Sequence, residues 1–433
     1  MNQPLRLGIA GLGTVGASVL QLVQRRANDL AAGSGRAVRV TAVSARDRNR
    51  DRGVDLSPYA WFDDPVALAA ANDVDCIVEL IGGDEGPARA TVETALKSGK
   101  HVVTANKALL AKHGLALARL AEGQRVALAF EASSAGGIPV VKTLREALAG
   151  NAVTRISGIL NGTCNYILSR MELEGLTFDE CLKDAQRLGF AEADPTFDVG
   201  GFDTAHKLSI LTSLAFGVKI DAEAIHVEGI SAITPLDLKM ADELGYRIKL
   251  LGVAERTATG IEQRVHPTMA PKSSAIAQVM GVLNAVTIDA DAVRAITLIG
   301  PGAGGDPTAS AVLSDIADVA RGQISAPFGK PVDQLDDAAR APMQRHEGGY
   351  YVRLTVVDRP GAMAKIATRM GDHQISLESI LQKGKGQRGG DGATVPVILI
   401  THATSETAIR AALEEVQSEG VVTEPPQVIR IER

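Results

Sequence analysis

Asp203 and Lys207 stand four residues apart in the run DTAHKLSILTSLAFG. That spacing makes an acid and a base neighbours on a helix. At about 100° per residue they fall within about 40° of each other, on the side of Ile210, Leu211 and Leu214, with His206, Ser209 and Ser213 opposite. A lysine on an apolar stripe is costly to hold unless it is paired or functional. Burial lowers its pKa and a neighbouring carboxylate raises it, so it can give and take a proton. The bland alternative is a structural ion pair. Just upstream, GFAEADPTFDVGGFD carries Glu192, Asp194 and Asp198. These carboxylates could hold a substrate ammonium or simply face solvent.

A second group of residues points to a nucleotide. Gly11-Leu12-Gly13-Thr14-Val15-Gly16 follows an apolar run and opens a helical one, the setting that a dinucleotide fingerprint requires. Gly11 allows the tight turn, Gly13 lets backbone approach a pyrophosphate, and Gly16 lets the helix pack on the sheet. Thr14 and Val15 begin the helix, whose free N–H groups favour an anion. At the end of the next strand the sequence reads Ser44-Ala45-Arg46-Asp47. Arg46 matches the geometry of a 2′-phosphate, which favours NADP(H), while Asp47 leaves NAD(H) open. Thr104-Ala105-Asn106-Lys107 sits where a strand gives way to a helix, and ligands of open parallel sheets bind at that end. Asp306 and Pro307, after the glycine-rich run 300–305, are expected to cap and begin another helix. The three cysteines, Cys76, Cys164 and Cys181, fit no CxxC pattern, and Cys164 has no sequence partner to act as its base. Their odd, sparse number suits a reducing compartment, and the cytoplasm is expected. No two histidines show a zinc-ligating HxxxH spacing.

These groups need a frame. The chain has 433 residues, enough for roughly three domains. Lys plus Arg is 45 and Asp plus Glu is 51, a formal charge of −6 that argues against a nucleic-acid partner. No run of about 18 apolar residues suggests a membrane span. Strands at 5–10, 38–45, 74–80, 101–104 and 125–133 alternate with helices, which implies an α/β domain with a doubly wound parallel sheet over 1–133, completed by the helix near 306–320. Residues 134–305 read as an α+β domain for substrate and dimerisation. Residues 321–349 are polar, contain prolines and read as a linker. Residues 350–433 follow a βαββαβ order, that of a ferredoxin-like module, with strands near 374–383, 394–402 and 426–432.

Taken together, GIAGLGTVG, TANK, EASSAGGIP, GILNGTCNYIL, LGFAEADPTFDVGGFDTAHKL and GPGAGGDPTASAV resemble homoserine dehydrogenase over roughly residues 5–320. Val357-Asp358-Arg359-Pro360-Gly361 and the element order after it resemble an ACT domain. The resemblance implies a Rossmann-type cofactor domain and NAD(P)-dependent interconversion of L-homoserine and L-aspartate 4-semialdehyde, on the route to threonine, methionine and isoleucine. It implies Lys207 as proton donor with Asp203 beside it, and Lys107 near the reacting carbon and the nicotinamide. Glu192, with Asp198 in support, would hold the substrate ammonium, and Thr163 would line the same site. Thr104, Gly189 and Gly304 would approach the cofactor. Glu131, Ser134, Gly136 and Ile138 would hold a monovalent cation, sodium. Phe190 stands where some relatives carry a tyrosine. A homodimer or homotetramer is implied, with L-threonine as the effector expected at the ACT module. An aspartate-semialdehyde dehydrogenase would need a nucleophilic cysteine, and an amino-acid sensor would not need Asp203, Lys207 and Lys107 intact.

Overall fold

Short runs that are apolar on both faces can be satisfied only between two layers of helix. In the computed structural model, which describes residues 3–343, 346–382 and 393–432, five such runs lie side by side with a short, part-exposed strand at one edge. They are β1 (Leu5–Ala10), β2 (Val38–Ser44), β3 (Ala60–Phe62), β4 (Cys76–Glu79), β5 (His101–Thr104) and β6 (Leu128–Ala129). All pair in parallel, in the order β3-β2-β1-β4-β5-β6. The order switches direction between β1 and β4, which opens a crevice at their carboxyl ends. Helix Gly305–Arg321 returns to this sheet, and its Ala309, Val312, Leu313 and Ile316 join Val19, Leu20 and Val23 of helix Thr14–Arg25 in one core. Its N-cap is Gly304 and not Asp306, which lies in the first turn. The strand expected over 125–133 shrinks to two residues, because the chain bends at Glu131 into the short helix Ala132–Ala135.

The second sheet takes in the rest of the chain. Its strands are β7 (Val153–Ile159), β8 (His226–Val227), β9 (Tyr246–Thr257), β10 (Gly260–Pro271), β11 (Leu283–Ala290), β12 (Arg294–Pro301), β13 (Glu347–Val357), β14 (Leu377–Gln382), β15 (Thr394–Thr401), β16 (Thr404–Ser405) and β17 (Gln427–Ile431). They run in the order β12-β11-β7-β9-β10-β17-β13-β15-β14, with β8 on β10 and β16 on β13. The βαββαβ order of the tail is present, with its own core of Val352, Leu354, Ile366, Leu399, Ile409 and Leu413. Gln374 turns the chain at φ 58°, so the strand expected at 374–383 begins only at Leu377. Residue 383 lies outside the described residues.

The linker reading of 321–349 needs correction. Phe328, Val332 and Leu335 are buried in the core, and the Val332 amide donates to the Glu122 carboxylate. Asp336 bridges Val218, and Arg340 bridges Ile261. Three spaced apolar residues inside a polar average anchor this strap to the body. Nor is the tail set apart, since β17 pairs in parallel with β10 through Thr268 with Arg430 and Met269 with Ile431. Tyr351 and Arg353 of β13 both bond the buried Asp237 carboxylate, each at 2.8 Å.

Candidate active site

Gly201 turns the chain at φ 89° into helix Phe202–Phe216. This places Asp203 in the first turn and Lys207 one turn on, with side chains only 6% and 11% exposed. Lys207 Nζ donates to Asp203 Oδ2 at 2.7 Å and to the Leu160 carbonyl at 2.6 Å. Lys107 arrives from the other sheet as the first residue of helix Lys107–Gln124, and its Nζ lies 3.1 Å from Asp203 Oδ1. Asn161 completes the set. Its carbonyl oxygen caps helix Gly162–Glu174 by accepting from Cys164 N, while its amide donates to Asp203 at 2.9 Å and Asp198 at 2.8 Å. The structure thus brings Lys107, Asp198, Asp203 and Lys207 together around an asparagine that the sequence reading missed. An Asn-Gly-Thr just before a helix was the available signal, as an N-cap. The helix is not buried on one stripe alone, because Thr204, Ser209, Thr212 and Ser213 are buried as well.

The electrostatics follow from this geometry. Burial would raise the Asp203 pKa, but Lys207 and Lys107 outweigh it and hold the carboxyl well below the usual range. Burial pulls Lys207 below an ordinary lysine, with Asp203 opposing. Burial and the nearby Asp203 charge raise Asp198. The result is a lysine held in a largely buried site by one fixed anion, able to change protonation during a reaction. Cys164 is buried with its Sγ 3.2 Å from the Asp198 carbonyl, and burial drives its thiol pKa upward, a setting that disfavours the thiolate a nucleophile needs.

Around this cluster the loops are tied down. Thr163 Oγ1 donates to the Phe190 carbonyl at 2.6 Å, which fixes the segment that begins at Gly189. Glu192 is exposed on that segment, and no hydrogen bond joins its carboxylate to the Asp203 cluster among the described residues. Thr104 is buried, and its hydroxyl donates to Glu79 Oε2 at 2.6 Å and accepts from Asn106 N. It supports the Lys107 turn from beneath. Glu79, also missed from the sequence, is fully buried and accepts from the Ile81 and Gly82 amides, and burial raises its pKa. Its signal was a lone acid at the end of an apolar strand.

The crevice between β1 and β4 can take a dinucleotide. Gly11 has φ 102°, and a Cβ there would lie 2.5 Å from Leu80 O, while one on Gly16 would collide with the Gly11 carbonyl. Gly13 meets open space, and no side chain caps the helix that Thr14 and Val15 begin, so its first amides are free for a ligand. Arg46 is exposed past the end of β2. Arg48 and Arg52 flank the Trp61 ring, and Arg52 Nε donates to Leu12 O at 3.1 Å, which brings a second cation to the glycine loop. Gly304 precedes the returning helix with φ 112°.

Glu131, Ser134, Gly136 and Ile138 lie on one bend, and all four are buried. The Glu131 carboxylate accepts from the Val141 and Lys142 amides, each at 2.8 Å, and its own amide donates to Asp315. Burial, with Asp315 adding, pushes its pKa up to about 7. No group of three or more His, Cys, Asp or Glu side chains suited to a metal exists among the described residues.

Comparison with known proteins agrees across the whole chain. A family model described as homoserine dehydrogenase matches residues 139–317. One described as homoserine dehydrogenase, NAD binding domain, matches 11–131, and an ACT domain model matches 350–420. The chain is 44% identical to homoserine dehydrogenase of Pseudomonas aeruginosa, covering 100% of this chain and 99% of that one. It is 43% identical to that of Neisseria gonorrhoeae, covering 99% of each. The solved homoserine dehydrogenase of Thiobacillus denitrificans superposes with a TM-score of 0.93 at 42% identity, over 99% of this chain and 98% of that one. A hyperthermophilic archaeal homoserine dehydrogenase in complex with NADPH gives 0.63 at 25% identity, over 73% of this chain and 97% of that one.

Proposed function

The chain belongs to the homoserine dehydrogenase family, and we propose that Lys207, Asp203 and Lys107 carry its reaction. It is an NAD(P)-dependent oxidoreductase acting on a CH–OH group, interconverting L-homoserine and L-aspartate 4-semialdehyde on the route to threonine, methionine and isoleucine. The observation that carries the assignment is one buried carboxylate shared by two lysines on helices that pack against different sheets.

When bound, the nicotinamide supplies the hydride to the aldehyde carbon. Lys207 then stabilises the negative charge growing on the aldehyde oxygen and gives it a proton. Asp203 keeps that lysine charged and aimed, and Lys107 adds a second positive charge toward the cofactor side. In the oxidation direction Lys207 must start neutral, so homoserine oxidation should favour higher pH. Asp198 and the exposed Glu192 would hold the substrate ammonium, with Thr163 fixing the chain that leads into Glu192.

Gly11, Gly13, Gly16 and the amides of Thr14 and Val15 would cradle the pyrophosphate, with Thr104, Gly189 and Gly304 framing the crevice. NADP(H) is favoured over NAD(H), because Arg46 and Arg52 both stand at the β2 end of the glycine loop and an archaeal relative is described with NADPH. The Glu131 carboxylate and the Ser134, Gly136 and Ile138 carbonyls are all oxygen donors, a set that suits sodium. Ile299 is exposed on edge strand β12 and Val293 in the turn just before it, which supports pairing of two copies into a homodimer or a larger homo-oligomer. The ACT module is the expected receptor for L-threonine. No helix among the described residues is long and apolar enough to cross a membrane, and three unpaired buried cysteines suit the cytoplasm. The test is turnover of L-homoserine with NADP⁺ and with NAD⁺. Faster turnover with NADP⁺ supports the full reading, and no turnover with either cofactor rejects it.

A further inference from the structure

The segment between Asp198 and Asp203 rests on a short stretch of chain whose side chain is gripped by the C-terminal module. Glu228 follows β8, and its amide donates to Val265 O of β10 at 2.7 Å. The next two residues press on the turn before the catalytic helix. Ile230 N donates to Val199 O at 2.9 Å. A Cβ on Gly229 would run into Val199 O and lie 2.9 Å from Gly200 Cα. Gly201, held at φ 89°, leaves no more room, since its own Cβ would sit 3.1 Å from Val227 and 3.0 Å from Val265. A shift of 228–230 therefore shifts 199–201, and with them Asp198 and Asp203 on either side.

The other end of this contact belongs to the tail. Arg430 of β17 donates to Glu228 through both terminal nitrogens, at 2.9 and 3.1 Å, and Arg410 adds a bond at 3.1 Å. Arg430 is itself fixed by two bonds to Glu406, at 2.7 and 3.1 Å, and its side chain is 2% exposed. His226 donates to the same Glu228 carboxylate at 2.9 Å. Burial would raise the Glu228 pKa, but the bonds from His226 and Arg430 prevail and keep it ionised.

We infer that Arg430, acting through Glu228, is a positioning residue for the substrate segment, so that the C-terminal module completes the active site as well as carrying a receptor fold. This rests on the reading that Asp198 and Asp203 face the substrate. The tail touches the body elsewhere without bonding 196–203 or 228–230, most clearly where Arg353 meets the Asp237 carboxylate and the Ala232 carbonyl, and that contact is the control.

The experiment uses the full-length enzyme and the variants Arg430→Gln, Arg410→Ala and Arg353→Gln. It measures KM and kcat for L-homoserine, NADP⁺ affinity by fluorescence titration, and amide hydrogen exchange over 196–203 and at Ile230. Arg430→Gln should raise the homoserine KM about tenfold, with NADP⁺ affinity within about twofold, because a small misplacement of binding groups is costly. It should also speed exchange at Gly200, Gly201 and Ile230. Arg353→Gln should do neither. If Arg430→Gln does not fold, Arg410→Ala, at a side chain 45% exposed, should raise KM about twofold with the same exchange signature. Unchanged KM and exchange in folded variants overturns the inference, as does an equal KM rise in Arg353→Gln. Faster exchange with an unchanged KM overturns the substrate reading of Asp198 and Asp203 but leaves the mechanical link standing.

Discussion

Asp203→Asn keeps the shape of the site and removes one charge, so it isolates what the carboxylate does. Two lysines lose their counter-ion, at 2.7 and 3.1 Å. Unit charges about 4 Å apart are worth about 4 kcal/mol at an effective dielectric of 20, and leaving a buried charge unpaired costs about 3–5 kcal/mol. Lys107 is one-third exposed and adds little. Lys207 can relieve its cost by releasing its proton, which sets an upper limit on the loss. The variant should therefore be about 3 kcal/mol less stable near neutral pH in urea unfolding. The sign with pH follows from linkage. Burial already holds the folded-state pKa of Lys207 below its unfolded value. Between those two values the unfolded chain binds more protons, so stability rises with pH. Without Asp203 the folded value drops further and the window opens at lower pH. The deficit against the natural enzyme should thus shrink as pH rises from about 6 to about 9. In the proposed mechanism aldehyde reduction needs charged Lys207, so its kcat should fall about 10²–10³-fold and its decline should begin at lower pH. A stability loss under about 1 kcal/mol, or a deficit that grows with pH, would refute the reasoning.

Lys249 is buried with neutral partners, Asn165 Oδ1 at 2.9 Å and Val279 O at 2.6 Å, and burial pushes its pKa down to about 7. Folding then favours the neutral amine, so stability should rise from about pH 7 toward about 10.5 by up to about 1.4 kcal/mol per unit. Lys249→Met should flatten that slope in thermal unfolding. Arg46→Glu should weaken NADPH binding about tenfold while NADH changes less than about threefold, measured by fluorescence titration. Equal losses would mean that Arg46 does not read the phosphate. Truncation after residue 325 removes Phe328, Val332, Leu335 and β17, which leaves core surface and the edge of β10 bare. The fragment should aggregate in size-exclusion chromatography, and a soluble monodisperse fragment would show the tail to be separable after all.

Five strands of the first sheet are legible in the sequence because strands buried on both faces read as unbroken apolar runs, and GLGTVG marks where the crevice opens; the edge strand Ala60–Phe62 escapes because it is three residues long and part-exposed. Asp203 and Lys207 are legible because helix geometry alone makes them neighbours. Lys107 is placed by its strand-to-helix turn, yet nothing in sequence spacing says that its ammonium meets Asp203 from across the molecule. Asn161 and Glu79 escape notice because each looks like a turn residue or a strand end until its partners are seen. The strap over 328–340 escapes because a few buried apolar residues are diluted by polar ones. The joining of the tail through β10 and β17 rests on two backbone pairs, and no side-chain pattern announces them.

The most direct test of the account is Lys207→Met in the full-length enzyme, with hydride transfer followed by nicotinamide absorbance in a single turnover and NADP(H) affinity measured alongside. The account predicts that the transfer rate falls about 10²–10⁴-fold while cofactor affinity stays within about twofold. A variant that keeps more than about a tenth of the natural rate would remove Lys207 from the chemistry and contradict the proposed mechanism.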